Sequence, residues 1–340
     1  MRKRWLMLAA LAVATVLLAS MFAALRGGSA SAAHKATFSA CLVTDIGGLN
    51  DKSFNHLAYV GLLNAEKHGI KGRVIQSHSG SDYIPNLQAC VKSGAGITIG
   101  VGFLMDKAMD TIATSFPNSK FAIVDDDVTF MKHKPKNVSG LLFKEQEAGY
   151  LVGYAAGLYV KATGGTAVGS VGGLKIPPVD RYIAGFQFGA KKADPGIQVF
   201  NDYSNDFVKQ ASCKEKALNQ IAQGSTVEFQ VAGQCGLGVL DAAKEKKVFG
   251  IGVDADQGYL GSQVMTSALK KVDVAVYSAI TNAKAGKLAG GKNAVFNAKV
   301  NGVGYGKWSP KVSAKIKSAV AAQFALLKAG KIKGIPATVK

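Results

Sequence analysis

Thr37-Phe38-Ser39-Ala40-Cys41-Leu42-Val43 runs into Thr44-Asp45-Ile46-Gly47-Gly48 and on to Leu49-Asn50-Asp51-Lys52-Ser53-Phe54-Asn55. An apolar run of strand length, a glycine turn rich in carboxylates and a serine heading the next segment spell strand, loop and helix. Ser53 predicts a helix N-cap and His68-Gly69 predicts its stop. The same pattern recurs down the chain. Strand signals return at 73–77, 97–101, 121–124 and 138–142, with helical stretches at 85–92 and 105–115 between most of them. A second set follows: helix 147–160, strand 167–171, helix 179–192, strand 197–201, helix 214–223, strand 227–231, helix 237–246 and strand 248–253. Such alternation predicts α/β lobes, each a doubly wound, mostly parallel sheet with helices on both faces. No Pro/Ser-rich linker separates the two sets, which predicts discontinuous lobes joined by a multi-crossover hinge.

Composition narrows the class. With 48% hydrophobic and 19% charged residues, the 340-residue chain has enough apolar side chain for two packed cores. Its 40 glycines follow no G-X-Y period, which excludes a collagen-like chain. Arg2, Lys3 and Arg4 precede an uncharged stretch from 5 to 25, and Ala30-Ser31-Ala32 supplies small residues for cleavage. Residues 1–32 therefore read as a secretory signal peptide, long enough to serve as an anchor if uncleaved. No cysteine stands at that boundary to carry a lipid. The expected location is outside the cytoplasm, periplasmic or at the cell surface, with membrane contact only through the N-terminal segment or a membrane partner.

The formal net charge is +19, and no Asp or Glu follows Asp273 although twelve lysines do. These lysines are spaced singly, without interleaved aromatics, so a nucleic-acid partner is disfavoured. A solvated basic face near an anionic envelope surface is the better reading.

Four cysteines in an exported chain favour disulfides over a metal site, and the scattered histidines lack zinc-ligand spacing. Three connectivities are open. Cys41–Cys90 with Cys213–Cys235 is favoured because each pair stays within one set, free buried thiols being the alternative.

In open α/β sheets ligands sit beyond the carboxyl ends of the strands. The first such loop offers Asp45, Asn50 and Asp51 as hydrogen-bonding groups and Phe54 as a core residue or a stacking surface. Asp125-Asp126-Asp127 ends another strand, read as one inward carboxylate with two solvated neighbours. Asp254-Ala255-Asp256-Gln257-Gly258 lacks the later ligands of a calcium loop, so no metal is expected. The turn Gly233-Gln234-Cys235-Gly236 lacks the spacing of a dinucleotide fingerprint, yet its backbone N–H groups are placed to meet a ligand. Gly149, Gly153 and Gly157 recur along one helix face, which predicts close packing against a sheet. No nucleophile elbow, P-loop or zinc-protease motif occurs, and the chain is not expected to be an enzyme or to need a cofactor.

The stretch Cys41-Leu42-Val43-Thr44-Asp45 through Asp51-Lys52-Ser53-Phe54-Asn55 resembles the opening of the basic membrane protein (BMP) family, purine nucleoside receptor-like substrate-binding proteins of ABC transporters. The likeness continues through Glu147-Ala148-Gly149-Tyr150-Leu151-Val152-Gly153, Val168-Gly169-Ser170-Val171-Gly172-Gly173 and Gly185-Phe186-Gln187-Phe188-Gly189-Ala190-Lys191. It extends to Gln230-Val231-Ala232-Gly233, Gly252-Val253-Asp254-Ala255-Asp256-Gln257 and Thr266-Ser267-Ala268-Leu269-Lys270.

The resemblance implies a type I periplasmic-binding-protein fold, a monomer that closes on a purine nucleoside and delivers it to an ABC permease. It implies an N-terminal lobe of 36–143 plus 268–300 and a C-terminal lobe of 144–267 plus 301–340. It also implies a base sandwiched between Phe54 and Phe186. Asp45, Asn50, Asp51 and Asp125 would then meet the base edge, and Asp254, Lys270 and the Gly233 backbone the ribose, with Ser53 in the same ligand loop. A sensing receptor and a sugar clamp on the same fold are the alternatives.

Overall fold

The computed structural model describes residues 37–339. The expected signal peptide, residues 1–32, lies outside the described residues, and among those no helix is long and apolar enough to cross a membrane.

The first lobe is built from β1 (Ser39–Val43), α1 (Phe54–Glu66), β2 (Lys71–Ile75), α2 (Tyr83–Lys92), β3 (Ile97–Val101), α3 (Asp106–Ser115), β4 (Phe121–Val124) and β5 (Val138–Phe143). The chain then crosses to the second lobe with α4 (Glu145–Thr163), β6 (Ala167–Gly172), α5 (Pro177–Ala193), β7 (Gln198–Val199), β8 (Asp202–Tyr203) and α6 (Gln210–Ala222). There follow β9 (Ser225–Val231), α7 (Leu237–Glu245), β10 (Phe249–Asp254) and β11 (Val264–Lys270). It returns to the first lobe as α8 (Val272–Lys284) and β12 (Lys292–Phe296), and ends on the second as β13 (Val303–Tyr305) and α9 (Ala314–Lys328). One sheet has the order β12-β5-β4-β3-β1-β2, with every pair parallel. The other runs β13-β11-β10-β9-β6, with β7 and β8 both on β6 and β13 antiparallel.

Two details differ from expectation. The single strand expected at 197–201 is two short pieces, 198–199 and 202–203, each paired with β6. The second crossing falls after Lys270 rather than before residue 268, since β11 stays in the second sheet to its last residue.

Continuous Val/Ile/Leu runs suit strands covered on both faces. β3 and β4 are buried at every position. Disulfides Cys41–Cys90 and Cys213–Cys235 tie α2 to β1 and α6 to the turn before α7. Each closes a loop worth roughly 3–4 kcal/mol in chain entropy.

The glycine stripe packs on a helix, not on a sheet. Cβ atoms on Gly149, Gly153 and Gly157 of α4 would strike the carbonyl oxygens of Tyr182, Phe186 and Ala190 on α5. Gly185 and Gly189 of α5 meet α4 in the same way, so the two backbones lie nearly in contact. This contact fixes Phe186 in the interior. It is fully buried on α5 with its ring 5.1 Å from Phe229, and does not reach the cleft.

Candidate functional site

The strands of both lobes point their carboxyl ends at one cleft. Asp125 and Asp254 stand at equivalent places, ending β4 and β10 with φ of 71° and 59°. Left-handed backbone is costly for a residue with a Cβ, and Asp tolerates it better than most. At these two strand ends it turns a carboxylate into the cleft from each lobe.

Asp45 ends β1. Its Oδ1 accepts from the Gly47 N–H (2.9 Å) and from Asn55 Nδ2 (2.8 Å), while Asn55 Oδ1 accepts from the Asp45 N–H (3.2 Å). Burial pushes Asp45 up to about 6 despite these donors. Its Oδ2 and the Phe54 ring both face Gly102. A Cβ on that glycine would come within 2.8 Å of the oxygen and 3.4 Å of the ring.

Asp51, rather than Ser53, caps α1. Its carboxylate accepts from the N–H groups of Ser53 (2.9 Å), Asn55 (2.7 Å) and His56 (3.1 Å). It also lines the cleft. Ser53 is thereby free to reach the other lobe. Its hydroxyl lies 3.0 Å from the Val253 carbonyl and 3.1 Å from Asp254 Oδ2, two acceptors for one proton. Ser53 is thus a latch between lobes and not part of the cleft wall. Asn50 does not belong to the site either. It is exposed in the loop ahead of α1, and Asn55 supplies the amide to the cleft.

Lys270, the last residue of β11, is buried at the meeting point of the lobes. Its Nζ donates to Asp125 Oδ2 (2.6 Å) and lies 3.0 Å from Glu145 Oε1. It also stands 4.9 Å from the Phe54 ring centroid and 5.0 Å from that of Phe143. Arg181 Nε donates to Glu145 Oε2 (2.6 Å), so two cations answer two carboxylates. Burial works against the charge on Lys270, but Asp125, Glu145 and Asp254 hold its proton above the usual range. Burial likewise opposes ionisation of Glu145, yet Lys270 and Arg181 bring it below its ordinary value. For Asp125 burial wins and its carboxyl is raised. Asp125 Oδ1 is buried with no partner.

Asp254 accepts from the Tyr182 hydroxyl (3.0 Å) on Oδ1 and is pushed up to about 6 by burial against the pull of Lys270. The Asp125-Asp126-Asp127 run differs from expectation, because Asp126 is buried as well. Burial and the nearby Asp106 raise it, while Asp127 accepts from Thr129 (2.6 Å) and Asn293 (2.5 Å). Gly233 lines the cleft with φ of 55°, next to Phe207.

Besides Tyr182, the second lobe presents Phe207 to the cleft. It sits in Ser204-Asn205-Asp206-Phe207, a lone ring in a polar loop, which is the signal that singles out Phe54. Tyr182, Glu145 and Arg181 carry no such signal, since their positions depend on how α4 and α5 pack.

Two α/β lobes, with a chain crossing between them three times among the described residues and meeting at a cleft that mixes carboxylates with apolar and aromatic side chains, define a solute-binding clamp of the type I periplasmic-binding-protein fold. Comparison with known proteins gives the family. A family model described as "ABC transporter substrate-binding protein PnrA-like" matches residues 38–335, and the chain belongs to that family. It is 33% identical to the "ABC transporter nucleoside-binding protein BmpA" of Lactococcus lactis, covering 94% of this chain and 95% of the relative. It is 34% identical to the "CD4+ T-cell-stimulating antigen" of Listeria monocytogenes, over 83% and 84% of the two chains. A crystal structure of an ABC transporter solute-binding protein from Aeropyrum pernix K1 superposes with a TM-score of 0.79 at 27% identity, covering 88% of this chain and 94% of that one. The family binds substrates for ABC transporters and is not enzymatic.

The Ser53 latch has a testable consequence. Ser53→Ala removes one hydrogen bond between lobes, a loss of about 0.5–1.5 kcal/mol from the closed form. Small-angle scattering of the ligand-free variant should show a larger radius than wild type, and apparent affinity should fall two- to tenfold. An unchanged ligand-free radius would remove Ser53 from the latch role.

Proposed function

We propose that this protein is a monomeric, extracytoplasmic receptor that binds a purine nucleoside between its lobes and delivers it to the permease of an ABC transporter. The observation that carries the reading is that Phe54 from the first lobe and Phe207 from the second line one cleft together with carboxylates from both lobes. Two rings suit the faces of a flat base. Asp45, which lines the cleft with Phe54, suits a donor on the base edge. Asp254, Lys270 and the unpartnered Asp125 Oδ1 form a second polar end suited to vicinal hydroxyls, since carboxylates accept readily from such donors. The L. lactis relative bears the name of a nucleoside-binding protein, which agrees with this reading.

Calorimetry with a purine nucleoside, free ribose and free base tests it. The nucleoside uses both ends of the cleft and should bind well above either fragment. Phe54→Ala and Phe207→Ala should each weaken it by about 1–3 kcal/mol, up to about a hundredfold. Ribose binding as tightly as the nucleoside, or both variants keeping full affinity, would make the protein a sugar clamp instead.

A further inference from the structure

In an all-parallel sheet every strand starts at the same edge, so residues that open strands share one end of the lobe. In the first lobe that end is opposite the cleft. Lys71 opens β2, Lys120 precedes β4, Lys136 stands two residues before β5, and Lys292 opens β12. Lys284 ends α8, and Lys287 lies in the loop leading back to β12. All six are exposed. All but Lys71, which stands on the far edge strand, are also neighbours: the Gly291 N–H donates to the Val138 carbonyl (2.7 Å), and Lys120 Nζ donates to the Ala283 carbonyl at the end of α8 (3.0 Å).

The carboxylates of this lobe lie elsewhere. Asp45, Asp82, Asp106 and the 125–127 run follow strand ends on the cleft side, Asp273 is in the first turn of α8, and Asp110 faces His133. Among the described residues of the lobe, Glu66 alone sits at the lysine end. The lobe is therefore polarised, negative at the cleft and positive at its far end. The described chain also enters here, at Thr37 just before β1, downstream of the uncharged 5–25 stretch.

The geometry points to the far end of the first lobe as a docking face for an anionic phospholipid membrane. Lysines within a Debye length of such a surface each add attraction, and exposed side chains with a single carboxylate, Glu66 near Lys71, at their end of the lobe are available to supply it. The clustering of the charge at the point of chain entry favours a membrane over a soluble polyanion. The proposal does not depend on which solute fills the cleft.

The test is co-sedimentation of the full chain with phosphatidylglycerol/phosphatidylcholine vesicles and with phosphatidylcholine vesicles alone. The neutral vesicles report any apolar insertion, so the difference reports charge. Wild type should prefer the anionic vesicles. Lys136→Glu/Lys287→Glu/Lys292→Glu should lose about a hundredfold in affinity for them, with neutral-vesicle binding, melting temperature and nucleoside affinity unchanged. Lys191→Glu/Lys192→Glu, at the end of α5 in the other lobe, should keep most of the preference. No preference in wild type, or equal loss in both variants, overturns the docking face. Loss of binding to duplex DNA with vesicle binding intact would mean a soluble polyanion and equally overturn it.

Discussion

Lys270→Met is expected to destabilise the folded protein by about 3–5 kcal/mol at neutral pH, the usual cost of removing one partner from a buried ionic group. Wild type has two cations, Lys270 and Arg181, among the buried carboxylates Asp125 and Glu145. Among the described residues Arg181 hydrogen-bonds to Glu145 and not to Asp125, so the substitution leaves Asp125 without its ion-pair partner. Methionine fills the volume but offers no charge. Burial and Glu145 already raise Asp125, and without Lys270 its carboxyl must rise further. A carboxyl raised in the folded state holds a proton that the unfolded chain releases, so its contribution is lost as pH rises. The deficit against wild type should therefore widen from pH 5 to pH 8. Urea unfolding across that range checks it. Lys270→Met/Asp125→Asn should recover a large part of the loss, because it removes the stranded charge. A deficit under about 1 kcal/mol, or one independent of pH, would mean that the buried pair holds nothing together.

The alternating runs made the two parallel sheets legible, because each strand's period is local and each glycine turn marks its end. Strands 97–101 and 121–124 stand where the pattern puts them. The carboxylates at strand ends were legible for the same reason: Asp45, Asp125 and Asp254 terminate runs that can only be buried strands. What local pattern could not show was the partner across a packing contact. Phe186 follows a glycine in a strong motif, but that glycine serves the α4–α5 contact, which turns the neighbouring ring into the interior. Ser53 has the right residue type for a cap, yet Asp51 takes the N–H groups and the hydroxyl crosses to Asp254. The Lys270–Glu145–Arg181 network joins residues far apart in sequence through the lobe junction, and no spacing announces it.

A buried acid in the second lobe, remote from the cleft, carries the second large expectation. Glu228→Gln should stabilise the protein at pH 8 by as much as roughly 4 kcal/mol and flatten its stability profile below that pH. Glu228 lies in the middle of β9, fully buried, and both its carboxylate oxygens lack a hydrogen-bond partner. Gln220 Oε1 of α6 is an unpartnered acceptor as well, and a Cβ on Gly169 of β6 would strike both side chains. Gln220 spends its amide donors on the Ser170 carbonyl (3.1 Å) and Asp202 Oδ2 (2.8 Å), while the Ser225 hydroxyl donates to the Val227 carbonyl (3.2 Å). Two acceptors crowded together without a donor call for a proton on Glu228. Burial, with Asp202 adding repulsion, raises its carboxyl from the usual 4.5 to about 8. The folded state therefore keeps a proton that the unfolded chain has lost. The stability this provides is complete below about 4.5 and disappears as pH climbs through 8. Glutamine keeps the shape, supplies an N–H donor for Gln220 Oε1 and has nothing to ionise. Asp45, Asp125 and Asp254 are also raised but remain in the variant, so the difference between the two profiles isolates Glu228. Urea midpoints measured from pH 5 to pH 9 should diverge steadily with rising pH. Parallel profiles would mean that Glu228 carries no proton in the folded protein, and that an unmatched charge is tolerated inside the sheet.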